Sequence, residues 1–243
     1  MPENRLQQSS VQAIAIRYPS FNFSMLPGVS PIDEKTITTQ LDTWRGQFGD
    51  NYADRNSATT EYVRVYTRAY CKIWECIAAD PPATILECGC NVGIALRALS
   101  NITSAELYGI EPNAKARAKA IADGITAKDN IVDGCLQSIP FPDRHFDMAF
   151  TSGVLIHIEP DSLDKALTEL GRVANKYVLM NEYFSKHLQP IEYRGQKEML
   201  WKADYGELFM QKNPGWRPVE AGFFWQRLTG FDDSNWWVFK REE

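Results

Sequence analysis

Beyond Pro81-Pro82 the chain settles into short apolar runs separated by helix-patterned segments, and that rhythm restricts the fold more than any other feature. Apolar runs at Thr84-Ile85-Leu86, Ala105 to Ile110, Asn130 to Val132, Phe146 to Thr151 and Tyr177 to Met180 read as five strands. Helical patterns over Gly93 to Ser100, 113–122 and 161–171 lie between them. Strands joined by helices of that length imply right-handed crossovers and a parallel sheet covered on both faces. The tail breaks the rhythm. Val219 to Trp225 and Trp236 to Phe239 flank the turn-rich Thr229-Gly230-Phe231-Asp232-Asp233, which predicts an antiparallel hairpin on one edge. The expected fold class is α/β, a Rossmann-like doubly wound sheet that is mostly parallel with an antiparallel C-terminal hairpin.

An N-terminal helical extension precedes it. Residues 1–35 show no clear period and read as an irregular arm. A helical pattern starts at Thr36 and breaks at Phe48-Gly49-Asp50, and a second runs from Ser57 to Ile77. Two units follow: an arm and helical lid over 1–81, and a sheet domain over 82–243.

The balance of 26 basic and 31 acidic residues gives a net charge of −5, which leaves no basic surplus for a phosphate backbone and argues against nucleic acid as a partner. No apolar run approaches the ~18 residues of a membrane span, and MPENRLQQSS has no basic head before an apolar run. Five cysteines, an odd number in a chain this long, fit a reduced, cytoplasmic protein. Seven tryptophans within 12% aromatic residues hint at a ring-lined cleft. Assembly as a homodimer is left open.

In open α/β sheets a ligand lies beyond the carboxyl ends of the strands. The first such loop reads Glu87-Cys88-Gly89-Cys90-Asn91-Val92-Gly93. A dinucleotide fingerprint from Gly89 would need glycine at 91 and 94, where the chain has Asn91 and Ile94, and no Gly-Lys-Ser/Thr follows. What fits is an acid, a glycine-bearing turn, and a second acid, Glu111, closing the next strand ahead of Pro112. A carboxylate there can accept two hydrogen bonds from a ribose diol. Glu87 disfavours a phosphate and suits a ligand bearing an ammonium or sulfonium group.

These residues resemble the class I S-adenosylmethionine-dependent methyltransferases. The 87–93 turn looks like their first motif, with Asn91 in place of its second glycine. Ile110-Glu111-Pro112 looks like the ribose-binding segment, and Asp133 to Phe141 like the adenine-side segment. Cys135 stands where many relatives carry an acid, so the resemblance leaves the adenine to backbone groups and Leu136. A narrower similarity, carried by Phe48 to Asn56, Gly153 to Ile158, Asn181-Glu182-Tyr183, Glu192-Tyr193-Arg194-Gly195 and Trp236-Trp237, is to the pseudaminic acid biosynthesis-associated methylases. It implies methyl transfer to a small, often sugar-like metabolite and leaves the acceptor open.

On that reading S-adenosylmethionine is the cofactor, held by Glu87, Gly89, Cys90, Asn91, Gly93, Glu111, Pro112, Cys135, Leu136 and Thr151, with Tyr52 and Asn56 closing from the 49–56 lid. The acceptor is a small polar molecule bound by Arg55, Tyr193, Arg194 and Trp201, with His157, Glu182 and Tyr183 at the chemistry. His157 is either a proton acceptor, titrating near the usual ~6.5, or a core histidine with a satisfied hydrogen bond. The acceptor is a sugar hydroxyl, or an amine or guanidinium partnered by Glu182, Glu192 and Asp204. Cys88 and Cys90 lack the spacing of a thiolate metal site, and no metal is expected. The rival class is a non-catalytic nucleoside-binding or regulatory protein on the same fold.

Overall fold

The computed structural model describes residues 39–242, so the arm expected over 1–35 lies outside it. The first helical pattern becomes two helices, α1 (Thr39–Arg45) and α2 (Gln47–Arg55), divided at Gly46. The expected break at Gly49 is absent. Gly49 sits inside α2 because a Cβ there would lie 1.7 Å from the carbonyl oxygen of Trp44 and 2.8 Å from Nδ2 of Asn113. Its missing side chain serves close approach between backbones. Helix α3 (Thr60–Trp74) starts at Thr59, whose hydroxyl accepts from the Tyr62 amide at 3.2 Å.

The parallel strands are β1 (Thr84–Cys88), β2 (Glu106–Ile110), β3 (Ile131–Val132), β4 (Phe146–Ser152) and β5 (Ala174–Glu182). Helices α4 (Ile94–Ser100), α5 (Ala114–Ala122) and α6 (Pro160–Val173) lie in their connections. The segment after β5 holds a separate two-stranded hairpin, β6 (Gln189–Tyr193) and β7 (Gln196–Lys202), and a helix, α7 (Tyr205–Lys212). The chain closes with β8 (Trp216–Phe224), the short α8 (Gln226–Thr229) and β9 (Ser234–Arg241). Strand order is β3-β2-β1-β4-β5-β9-β8, with β9 antiparallel to both neighbours. The mostly parallel sheet with an antiparallel C-terminal hairpin is as expected.

Both faces are covered because successive β1 side chains point to opposite sides. Ile85 packs with Tyr70, Ile73, Leu96 and Leu99 on one face. Leu86 packs on the other with Leu163, Leu167 and Leu170, the apolar stripe of α6. Each fully buried side chain of this size contributes ~1.5–3 kcal/mol. With both faces closed, a polar ligand can reach only the carboxyl edge.

Helices α1 and α2 cross that edge and are fastened to it. Asn113 caps α5, its Oδ1 accepting from the Ala116 amide at 2.9 Å. Its Nδ2 donates to the Trp44 carbonyl at 3.2 Å and to Asp50 at 2.9 Å. Arg45 and Arg117 share Asp133, each at 3.2 Å, and Lys115 and Lys119 share Asp54.

Candidate active site

Strand β1 pairs with β2 on one side and β4 on the other, so chain order reverses there and the β1 loop opens into a crevice. Gly89 has φ +77°, and a Cβ on it would meet Val154 Cγ2 at 2.8 Å. Asn91 is left-handed as well, with φ +47°. That conformation explains the departure from the glycine motif, because asparagine is among the few side chains that tolerate it.

Glu111 ends β2 with both carboxylate oxygens anchored. Oε2 accepts from the Asn91 amide and Oε1 from the Asn113 amide, each at 2.8 Å. Each oxygen keeps a further lone pair, and the residue lines the cleft. Burial pushes its carboxyl up to about 7, against the pull of those two amides. Glu87 is buried on the same cleft, and its Oε2 has no hydrogen-bond partner among the described residues. Burial, then the nearby Glu111, holds its carboxyl well above the usual carboxylate range. Two desolvated acids facing one cleft make it favourable for a cation and for hydroxyl donors.

The cleft wall brings together Glu87, Gly89, Cys90, Asn91, Glu111, Pro112, Cys135 and Leu136 from the sheet side, Tyr52 and Asn56 from α2, and His157 from the loop after β4. Gly93 stands just behind the wall at the start of α4. Sequence reasoning missed Gln40, Trp44, Tyr66, Asn113 and Gln137, which also line it. Asn113 was legible as an N-cap ahead of an Ala-rich helix. Trp44 and Tyr66 gave no signal apart from their places on apolar helix faces.

Other expectations are corrected. Glu182 is fully buried and does not line the cleft: its oxygens accept from the Val154 amide at 3.2 Å and the Ile156 amide at 3.3 Å. It braces the turn Leu155–His157 from below, with Thr151 buried beside it, so neither side chain reaches a ligand. Burial pushes the Glu182 carboxyl up to about 7. Trp201 is buried, and its carbonyl accepts from the Tyr205 hydroxyl. Asp204 caps α7 by accepting from the Glu207 amide. Tyr183 opens on a neighbouring polar recess with Lys202, Gln226, Asp232 and Asp233, and its hydroxyl donates to Asp232 at 3.2 Å. Arg55 and Arg194 are exposed, outside the wall.

Nδ1 of His157 lies 2.7 Å from the Met199 carbonyl oxygen. A carbonyl only accepts, so Nδ1 carries the proton and Nε2 keeps its lone pair. Burial pushes the ring down to about 4, not the usual value near 6.5, which keeps it neutral at physiological pH. Its ring packs between Trp44, 4.8 Å away, and Tyr193, 5.1 Å away. Cys88 and Cys90 fall in different core clusters, where burial raises both thiols.

Residues 86–177, the stretch that builds this cleft, match the family described as "Methyltransferase domain". That match covers 92 of the 243 residues and shows what this stretch is similar to. The orphaned acid Glu87 and the anchored acid Glu111 make the cleft suited to a ligand that carries a cation and a diol. The chain is 26% identical over 172 residues to sterol 24-C-methyltransferase ERG6B of Gibberella zeae, covering 58% of this chain and 44% of that protein. It thus spans under half the length of that relative. Among solved structures, an S-adenosylmethionine-dependent methyltransferase of Leishmania major superposes with a TM-score of 0.64 at 14% identity, over 84% of this chain and 87% of that one. Magnesium protoporphyrin IX methyltransferase from Synechocystis PCC 6803, with bound S-adenosylmethionine, gives 0.61 at 14% identity, over 85% and 99%. At those identities the likeness speaks for the fold. Among the described residues no helix is long and apolar enough to cross a membrane.

Proposed function

We propose that this chain transfers a methyl group from S-adenosylmethionine to an oxygen or nitrogen of a small polar metabolite. The observation that carries the reading is the carboxylate of Glu111, clamped by two backbone amides while lining the same cleft as the orphaned Glu87. Glu111 takes the ribose hydroxyls, Glu87 the positive charge, the 89–91 turn the methionine portion, and Pro112, Cys135 and Leu136 the adenine. Tyr52 and Asn56 close over it from α2. When bound, the cofactor supplies a methyl group already activated on a sulfonium.

What remains for the protein is to hold the acceptor atom in line and to keep water out. Nε2 of His157 takes the proton of an acceptor hydroxyl or ammonium, a role supported by its neutral, oriented ring at the cleft wall. Glu182 acts through that ring by bracing its turn. A polar acceptor is favoured over an extended apolar one, such as the sterol in the relative's name, because the hydroxyl-bearing rings of Tyr52 and Tyr66 line the cleft together with Asn56, Gln137 and Ser152. A sugar-like acceptor, as the narrower resemblance implies, is the finer form of this reading.

The test is calorimetry with S-adenosylhomocysteine. Glu111→Ala removes two charge-assisted hydrogen bonds of ~1.5–3 kcal/mol each, so affinity falls at least tenfold while the fold persists. Wild-type affinity also declines below about pH 7, as Glu111 takes up a proton. Unchanged affinity in the variant refutes the ribose assignment. Tight binding with no labelled methyl transferred to any fraction of a polar metabolite extract gives the answer to the binding-protein rival.

A further inference from the structure

Two arginines stand one aromatic ring beyond the cleft wall, and neither has a salt bridge to a carboxylate among the described residues. Arg55 leaves the last turn of α2 and lies over the Tyr52 ring, its Cζ 5.6 Å from the centroid. Arg194 stands at the tip of the β6–β7 hairpin, 5.4 Å over the Tyr193 ring, and that ring packs on cleft-lining His157 at 5.1 Å. Tyr52 carries Arg55 on its ring; burial raises its phenol, and the charge of Arg194 is close enough to pull the other way. Both guanidinium groups are exposed. The chain spends its other mouth-side charges differently: Lys115 and Lys119 of α5 are tied to Asp54.

The backbone under Arg194 is also unusual. Tyr193 pairs with Gln196, so residues 194 and 195 form a two-residue hairpin loop, with φ of +53° and +74°. Positive φ at both positions is the I′ pattern, which favours Asn-Gly or Gly-Gly. Gly195 obeys that preference. Arg194 does not, an uncommon choice that it shares with Arg144.

Of the acids near this end of the cleft, Glu192 is exposed on β6, Glu87 is assigned to the cofactor's cation, and three others are committed to protein partners. Glu182 braces the His157 turn, Asp204 caps α7, and Asp232 accepts from the Tyr183 hydroxyl at 3.2 Å and Gln226 Nε2 at 3.4 Å. We propose that Arg55 and Arg194 form a two-armed anion clamp over the acceptor end of the cleft, so that the methyl acceptor carries a carboxylate or a phosphate group. This rests on the methyl-transfer reading above and narrows its substrate class. The planar guanidinium fork matches both oxyanions bidentately, and an acceptor pinned by its anion presents a hydroxyl or amine to the His157 side of the cleft.

The probes are inorganic phosphate and acetate, titrated calorimetrically into the chain already saturated with S-adenosylhomocysteine. Failure of that first saturation would strike the methyl-transfer reading itself and is seen before either anion is added. Phosphate is expected to saturate in the millimolar range. Arg55→Gln and Arg194→Gln each weaken it at least tenfold, with S-adenosylhomocysteine affinity and melting temperature unchanged, since both side chains are exposed. Arg68→Gln, on an exposed face of α3, leaves it within twofold and controls for net charge. Saturation by phosphate alone assigns a phosphorylated acceptor, and saturation by acetate assigns a carboxylated one. No saturable binding of either anion, or binding that survives in the Arg55→Gln/Arg194→Gln double variant, overturns the clamp.

Discussion

Replacing Glu182 with glutamine tests whether a buried acid braces the turn that carries His157, and the structure fixes the sign of the effect. The Glu182 carboxyl is fully buried and pushed up from 4.5 to about 7. Between those values the unfolded chain has already released the proton that the folded chain still binds. Folding then takes up a proton, so stability falls as pH rises from about 4.5 through about 7, and levels off above it. The gap is worth ~3 kcal/mol at ~1.4 kcal/mol per pH unit. Glutamine cannot titrate, so the variant lacks that fall. It also turns an amide NH₂ toward the backbone donors of Val154 and Ile156, a pH-independent loss of ~1–3 kcal/mol. Urea unfolding at pH 5, 6, 7 and 8 should therefore find Glu182→Gln less stable than wild type at pH 5, with the two curves converging or crossing near pH 8. Glu87 and Glu111 titrate in both proteins and cancel in the difference. Parallel curves would show that Glu182 titrates like a surface acid, and the bracing argument would fall with them.

His157→Gln should lower methyl transfer about a hundredfold without removing any step in the rate profile near pH 6.5, because the ring is held down at about 4; a step near 6.5 that disappears in the variant would contradict its burial. Gly49→Ala places a Cβ against the Trp44 carbonyl and Asn113 Nδ2, so α1 and α2 should lift from α5. Stopped-flow release of S-adenosylhomocysteine should then quicken at least tenfold, and an unchanged release rate would detach these helices from cofactor retention.

Local sequence was enough for the sheet and for the side of the cleft built by the strand ends. Strand runs such as Thr84-Ile85-Leu86 alternate with helix patterns on a scale set by backbone geometry, and Glu87, Gly89 and Glu111 follow the strand ends that any such sheet presents to its crevice. Each of those positions depends on neighbours within one strand–loop–helix unit, so spacing alone carries the information. The hairpin after β5 was harder to read, because its turn uses Arg194-Gly195 in place of Asn-Gly and its first strand is mostly exposed.

Tertiary packing alone decided the surroundings of Glu182 and His157. Glu182, which reads as a free acid at a strand end, is consumed by amides 26 and 28 residues away in sequence. The tautomer and depressed pKa of His157 come from a carbonyl at Met199, 42 residues on. Trp44 and Tyr66 join the cleft only because α1 and α3 fold back across the carboxyl edge. Burial and hydrogen-bond competition set these roles, and both depend on which distant segments arrive. A linear pattern can place an acid at the end of a strand, but whether its lone pairs face a ligand or a backbone amide is decided by what the folded chain lays over it.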